Sequence, residues 1–180
     1  KTFKEKDIVH RLKSSKRLEN NKFSLIFSEP QEIEPVITLL DDSIKNPFLR
    51  ERTHKTDSLV FWVKDSLLFK KDSIHIAVSY LKTDSAGNHI NQLDSLYLIY
   101  RETKASKRKK EYENKFLEFS HNIGRNLEVY DTVRFQFKEP IKEIVKDSIK
   151  LSLKVDTLLQ DVDYKIVFDD SICKKNMYIV

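Results

Sequence analysis

Trp62 is the lone tryptophan of the chain and sits in the run Leu59, Val60, Phe61, Trp62, Val63. On an extended strand, side chains alternate between two faces. Leu59, Phe61 and Val63 then share one face, and Trp62 falls with Val60 on the other. A tryptophan on an open sheet face is a platform on which a sugar ring stacks, and a neighbouring tyrosine such as Tyr97 extends it. Trp62 and Tyr97 are therefore the candidate ligand-stacking residues. Burial at a domain junction, or in a strand covered on both sides, removes that role.

Other reactive residues form no recognisable constellation. There is no Gly-x-Ser-x-Gly elbow, and two glycines do not suffice for a phosphate-binding loop. Cys173 has apolar Ile172 before it and Lys174 and Lys175 after it. The lysines favour a thiolate, but no partner is near in sequence, so Cys173 is read as a packing residue. His10, His54, His75, His89 and His121 are scattered, and none pairs at metal-ligand spacing. His75 lies between Ile74 and Ile76 and should point away from the core those two line. Asp161 and Asp163 alternate, so both carboxylates share a face on which calcium could bind. The glycine and the bidentate glutamate of a calcium loop are missing, and a solvated strand face is the simpler reading. Glu32 with Glu34, Asp41 with Asp42, and Asp169 with Asp170 are read the same way. The expectation is a chain with no catalytic residue, no metal and no cofactor, that is, not an enzyme.

These side chains are carried by strands. Phe23, Leu25 and Phe27 alternate, as do Ile74, Ile76, Val78 and Tyr80, then Leu96, Leu98 and Tyr100. Val133, Phe135 and Phe137 repeat the pattern, followed by Ile149, Leu151, Leu153 and Val155, and by Tyr164, Ile166 and Phe168. Period-two alternation of β-branched and aromatic residues marks half-buried strands. Asp-Ser and Asp-Thr pairs such as Asp57-Ser58, Asp72-Ser73 and Asp131-Thr132 supply turns that four prolines and two glycines do not. The reading is all-β, with Phe23, Phe27, Phe61, Ile76 and Val78 inside. No stretch is long and apolar enough for a transmembrane helix. The first residues, Lys1 to Lys6, lack the apolar core of a signal peptide.

Two stretches depart from alternation. Ile8, Val9 and Leu12 have helical spacing, which predicts a short helix over residues 4–14. Residues 101–115 carry Lys107, Arg108, Lys109 and Lys110 with almost no apolar side chain, which predicts a solvated linker. With Tyr112 as its one aromatic residue and a net charge of only +5 for the whole chain, nucleic acid is not an expected partner.

The linker separates halves that echo each other. Phe23 to Pro30 and Val133 to Pro140 are both alternating strands that close on Phe-x-Glu-Pro. Together with the turn Asp84, Ser85, Ala86, Gly87, Asn88, these residues resemble the bacterial Ig-like domain of the surface-layer-protein type. The resemblance covers residues 20–100 well and 116–180 in part. It implies tandem immunoglobulin-like antiparallel β-sandwiches joined by a charged linker. The corresponding division is 1–17 as an N-terminal segment with a short helix, 18–103 as the first sandwich, 104–115 as the basic linker and 116–180 as an incomplete second sandwich. It also implies non-catalytic spacer or interaction modules of the bacterial cell envelope, periplasmic or surface-exposed. Partners would be other domains of the same protein or other envelope proteins. Membrane attachment would come only from an anchor outside this chain. In an incomplete second sandwich the row Val133, Phe135 and Phe137 should be partly uncovered.

Overall fold

The computed structural model of the chain describes residues 9–41, 43–51, 57–101, 116–124, 131–155, 157–169 and 173–180. The basic segment 104–115, His54, Asp42 and Asp170 lie outside the described residues. The chain divides into two compact units, Lys1–Tyr112 and Glu113–Val180. Among the described residues both are built of antiparallel strands with almost no helix, and no helix is long and apolar enough to cross a membrane.

The first unit contains β1 (Leu12–Glu19), β2 (Lys22–Phe27), β3 (Val36–Leu39), β4 (Phe48–Glu51), β5 (Ser58–Val63), a one-turn helix α1 (Ser66–Phe69), β6 (Ser73–Thr83) and β7 (His89–Ile99). One sheet has the order β1-β2-β5-β4 and the other β3-β6-β7. Alternation directs Phe23, Leu25 and Phe27 of β2 and Leu59, Phe61 and Val63 of β5 inward. There they form one core with Ile74, Ile76, Val78 and Tyr80 of β6, Leu39 of β3, Leu68 of α1 and Leu98 of β7. All five residues expected inside are buried. Each such side chain contributes about 1.5–3 kcal/mol through burial.

The helix expected over residues 4–14 is not present where the structure describes it. Leu12 to Ser14 begin β1 and pair with β2, Leu12 lying opposite Phe27. Residues 4–8 of that expectation lie outside the described residues. The strand was hidden because its register shifts between Leu12 and Ser14 and again between Arg17 and Glu19. Such bulges break the period-two pattern, and an edge strand rich in lysine and serine has few apolar residues to display one.

The β6–β7 hairpin closes through Asp84 to Asn88. Gly87 has φ +85°, the left-handed conformation that glycine takes without steric cost. The Asp84 carboxylate accepts the backbone N–H groups of Asn88 (2.8 Å) and Ala86 (2.9 Å). These bonds, Asn88 first, hold its pKa below the usual value. A carboxylate with a lowered folded pKa stabilises above its unfolded pKa and loses that contribution as pH falls through the folded value. The turn is therefore fully braced at neutral pH. Nothing lies within 4 Å of where a β-carbon on Gly87 would stand, so Gly87→Ala should cost about 1–2 kcal/mol from backbone strain alone. Thermal unfolding of the variant checks this.

Tyr80 packs edge-on to Phe27, ring centroids 5.4 Å apart, and its hydroxyl donates to Asp94 Oδ2 at 2.7 Å. Burial, and then the bond to Asp94, push its pKa up to about 12. A raised folded pKa means the contribution is complete below the ordinary tyrosine pKa of about 10 and is lost as pH rises through the folded value. An ultraviolet titration should show a tyrosine step near pH 12 that Tyr80→Phe removes.

The second unit contains β8 (Phe119–His121), β9 (Val133–Phe137), a 3-10 turn (Lys146–Ser148), β10 (Ser152–Val155), β11 (Leu158–Asp161), β12 (Ile166–Phe168) and β13 (Asn176–Ile179). Four strands form a sheet of order β12-β13-β9-β8, and β10 pairs with β11 alone. Register places Phe119 opposite Phe137, Phe135 opposite Met177, Met177 opposite Phe168, and Ile179 between Val133 and Ile166. One face of this sheet is thus apolar, and Arg134, Gln136, Asn176 and Tyr178 share the other. Of the row Val133, Phe135, Phe137, expected to be partly uncovered, Val133 and Phe137 are buried and Phe135 is half-buried, while Phe119 beside it on β8 is exposed. Further apolar surface is uncovered on the β10–β11 hairpin, where Leu153, Val155, Leu158 and Leu159 are exposed.

Candidate functional site

On the outward face of the three-stranded sheet, a polar cluster gathers around His75. In the β6–β7 ladder the Tyr100 N–H donates to the Asp72 carbonyl, and the Asp84 N–H to the Asn88 carbonyl. Hydrogen-bonded pairs alternate along an antiparallel ladder, so His75 opposite Tyr97 and Ala77 opposite Ser95 are non-bonded pairs. Side chains approach most closely at such pairs. The His75 and Tyr97 rings accordingly stack, with centroids 4.1 Å apart and planes 7° from parallel. Ser95 lies on the diagonal, its Oγ 2.6 Å from His75 Nε2. Asp41, just beyond β3, places Oδ1 3.1 Å from His75 Nδ1.

Asp41, His75 and Ser95 thus form a carboxylate–imidazole–hydroxyl relay. With the Nδ1 proton donated to Asp41, Nε2 accepts the Ser95 hydroxyl, the tautomer a nucleophilic serine needs. Acyl transfer also needs donors aimed at a developing oxyanion and an enclosed site. Ser95 sits mid-strand on an open sheet face, with its own N–H and that of Tyr97 directed away from β6. A cleft of about 360 Å³ lies elsewhere, on the inward side of β3, lined by Ile37, Leu39, Ile44, Phe48, Phe61 and Arg50. There the chain crosses from one sheet to the other between β3 and β4. Arg50 pairs with Glu34 beside it.

The two expected stacking residues are not brought together. Tyr97 is exposed at 63% and belongs to β7. Trp62 belongs to β5 in the other sheet, and its indole is only 4% exposed. It does point outward, opposite in phase to Phe61. Lys22 and Leu49 lie directly across from it on either side, the Lys22 ammonium stands 4.6 Å over the ring, and the indole N–H donates to Glu51 Oε2 at 2.6 Å. Those outer-face neighbours bury it, so an exposed platform at Trp62 is corrected. Trp62→Ala should therefore act on stability, by about 3–5 kcal/mol, as urea unfolding followed by circular dichroism will record.

Among the remaining candidates, His75 faces outward as expected. His10 and His89, 79 positions apart in sequence, meet edge to face at 4.8 Å. Among the described residues no three His, Cys, Asp or Glu side chains cluster as metal ligands. Asp161 and Asp163 are exposed, and Asp161 accepts the Ser152 hydroxyl at 3.3 Å. Cys173 is buried, in a turn where both it and Lys174 have positive φ. The contacts of His75 with Asp41 and with Ser95 were missed by motif spacing because they are made across strands. The chain matches no family model, no curated protein and no solved structure.

Proposed function

We propose that the chain is a tandem of immunoglobulin-like modules acting as non-catalytic spacer and protein-interaction units of a bacterial cell-envelope protein. In the first unit, the first, second, fifth and fourth strands share one sheet, and the third, sixth and seventh share the other. That is the partition of a seven-strand immunoglobulin domain of constant type. In the second unit β8-β9-β13-β12 follows the order of β1-β2-β5-β4 strand for strand.

The observation that carries the tandem reading is a pair of matched junctions at the two Phe-x-Glu-Pro segments. The Phe27 N–H donates to Asp57, the residue just before β5, and the Phe137 N–H to Lys175, just before β13, each at 2.8 Å. The next N–H donates to the residue just before the first strand: Ser28 to Arg11 at 2.9 Å, Lys138 to Glu118 at 3.0 Å. Partners in this reading are other domains of the same protein or other envelope proteins. No cofactor is involved, and any membrane attachment comes from outside the chain.

The relay at Ser95 provides the test. Incubated with a chromogenic acyl ester, the full chain should hydrolyse it no faster than its Ser95→Ala variant. Turnover that depends on Ser95 and His75 would overturn the non-catalytic assignment.

A second reading, glycan binding, is favoured by one observation: Tyr97 is an exposed ring backed by His75, with Asp41 and Ser95 beside it to bond hydroxyls. It predicts retention of the chain on an insoluble polysaccharide that Tyr97→Ala abolishes and Trp62→Phe leaves intact.

A further inference from the structure

We propose that His10 and His89 form a two-histidine site for a divalent transition-metal ion such as zinc, which ties the entry of β1 to the β6–β7 hairpin. His10 stands just before β1, and His89 is the first residue of β7. The two meet because both attach to Thr83. The ladder sets Thr83 directly opposite His89. Thr83 also holds the His10 backbone twice: its Oγ1 accepts the His10 N–H, and its own N–H donates to the His10 carbonyl, each at 2.9 Å. The next residue, Asp84, braces the turn that leads into His89. Both imidazoles are thus carried by fixed backbone, the condition for a preorganised pair of ligands.

The ring geometry fits one ion. With a zinc–nitrogen distance of about 2.0 Å and each nitrogen about 1.2 Å from its ring centre, two imidazoles on a tetrahedral ion have centres about 5 Å apart. The His10 and His89 ring centres are 4.8 Å apart, with planes at 69°. His10 is only 5% exposed, yet among the described residues no hydrogen bond is made by the ring nitrogens of either histidine. A buried histidine ordinarily bonds its ring nitrogens, as half-buried His75 does with Asp41 and Ser95. A metal ion is the partner that a neutral imidazole takes most often after a hydrogen bond. His89 is exposed, so its ring can turn toward an ion without displacing core side chains.

Imidazole nitrogen selects zinc, copper or nickel over calcium and magnesium, which take oxygen ligands. No third His, Cys, Asp or Glu side chain completes a cluster here among the described residues, so water fills the other positions. The core beneath is built from apolar side chains alone. The ion is therefore a removable brace, fastening the sheet of β1 to the sheet of β6 and β7.

The test titrates zinc alone into the chelator-treated full chain, by calorimetry and by thermal unfolding read at Trp62. Zinc should bind saturably, and at a hundred times its dissociation constant should raise the unfolding midpoint by about 5 °C or more. Calcium and magnesium at the same concentration should leave the midpoint unmoved. His89→Phe keeps a ring against His10 and removes the nitrogens. Measured against its own zinc-free midpoint, it should lose the rise and bind zinc about a hundredfold more weakly, the gain that a second fixed ligand brings. His89→Ala should lose the rise likewise, and His121→Ala should keep it. Three results would overturn the site: no saturable binding of zinc, His89→Phe binding as tightly as the parent, or calcium raising the midpoint equally. Ring-to-ring packing would then be the whole role of the pair.

Discussion

Replacing Phe23 by alanine should destabilise the first unit by about 3–5 kcal/mol. Phe23 is wholly buried, stacked on Phe61 at 5.2 Å and edge-on to Phe48 at 5.1 Å. It stands on β2 between β1 and β5, so the ring contacts cannot collapse without moving strands that pair on both sides. The cost is therefore the transfer free energy of the ring and the cavity left behind. Domains of this kind have total stabilities of about 5–15 kcal/mol, so the variant should be partly unfolded in modest urea. Trp62, the single tryptophan, reports the transition of this unit without interference from the other. Phe61→Ala should cost a similar amount. The double variant should cost less than the sum, because the two rings lose the same contact. A change below about 1 kcal/mol for Phe23→Ala would mean that the two sheets do not close over this ring.

Arg17→Met should cost about 2–4 kcal/mol, a large effect for a residue on a strand of lysines and serines. The Arg17 guanidinium is buried and donates to three backbone carbonyls: Asn20 (2.6 and 3.2 Å), Lys71 (2.7 Å) and Leu68 (3.0 Å). Leu68 and Lys71 lie at the C-terminal end of α1 and just beyond it, and the Leu68 carbonyl also accepts the Lys71 N–H at 3.3 Å. Burial pushes the Arg17 pKa down, opposed by the nearby charge of Asp72. The group stays protonated because guanidinium does not give up its proton in proteins. Methionine keeps the stem and removes the donors, leaving the carbonyls with fewer partners in a water-poor site. Lysine, with one compact ammonium, should recover only part of the loss. The same urea experiment measures both, and a Met variant as stable as the parent would show that water replaces the guanidinium.

Where side chains alternate between water and a core, the sequence was legible. β2, β5 and β6 carry aromatic and β-branched residues at period two, and each of those rows is buried. Gly87 could be placed because a tight hairpin turn needs a positive φ. β1 could not be read, since its pairing depends on two register shifts and its side chains are mostly polar. Trp62 was placed on the correct face, yet its burial depends on Lys22 and Leu49, which register alone puts beside it. The relay Asp41, His75 and Ser95 joins positions 34 and 20 apart. Its one legible signal was that His75 points outward between two inward isoleucines. Which residues meet it there follows only once His75 is paired with Tyr97. In the second unit the row of β9 was correctly read as apolar. Phe135 in that row is half-buried, and the β10–β11 hairpin, whose alternation reads like that of a half-buried strand, exposes Leu153, Val155 and Leu158.

The central claim is that both units share one strand order, with the Phe-x-Glu-Pro strand in the middle of its sheet. Cross-strand Hα–Hα contacts measured by nuclear magnetic resonance on the full chain test it most directly. They should link β2 to β1 and β5, and β9 to β8 and β13, with β10 linked to β11 alone. Contacts from β9 to β10, or β9 at a sheet edge, would contradict the account.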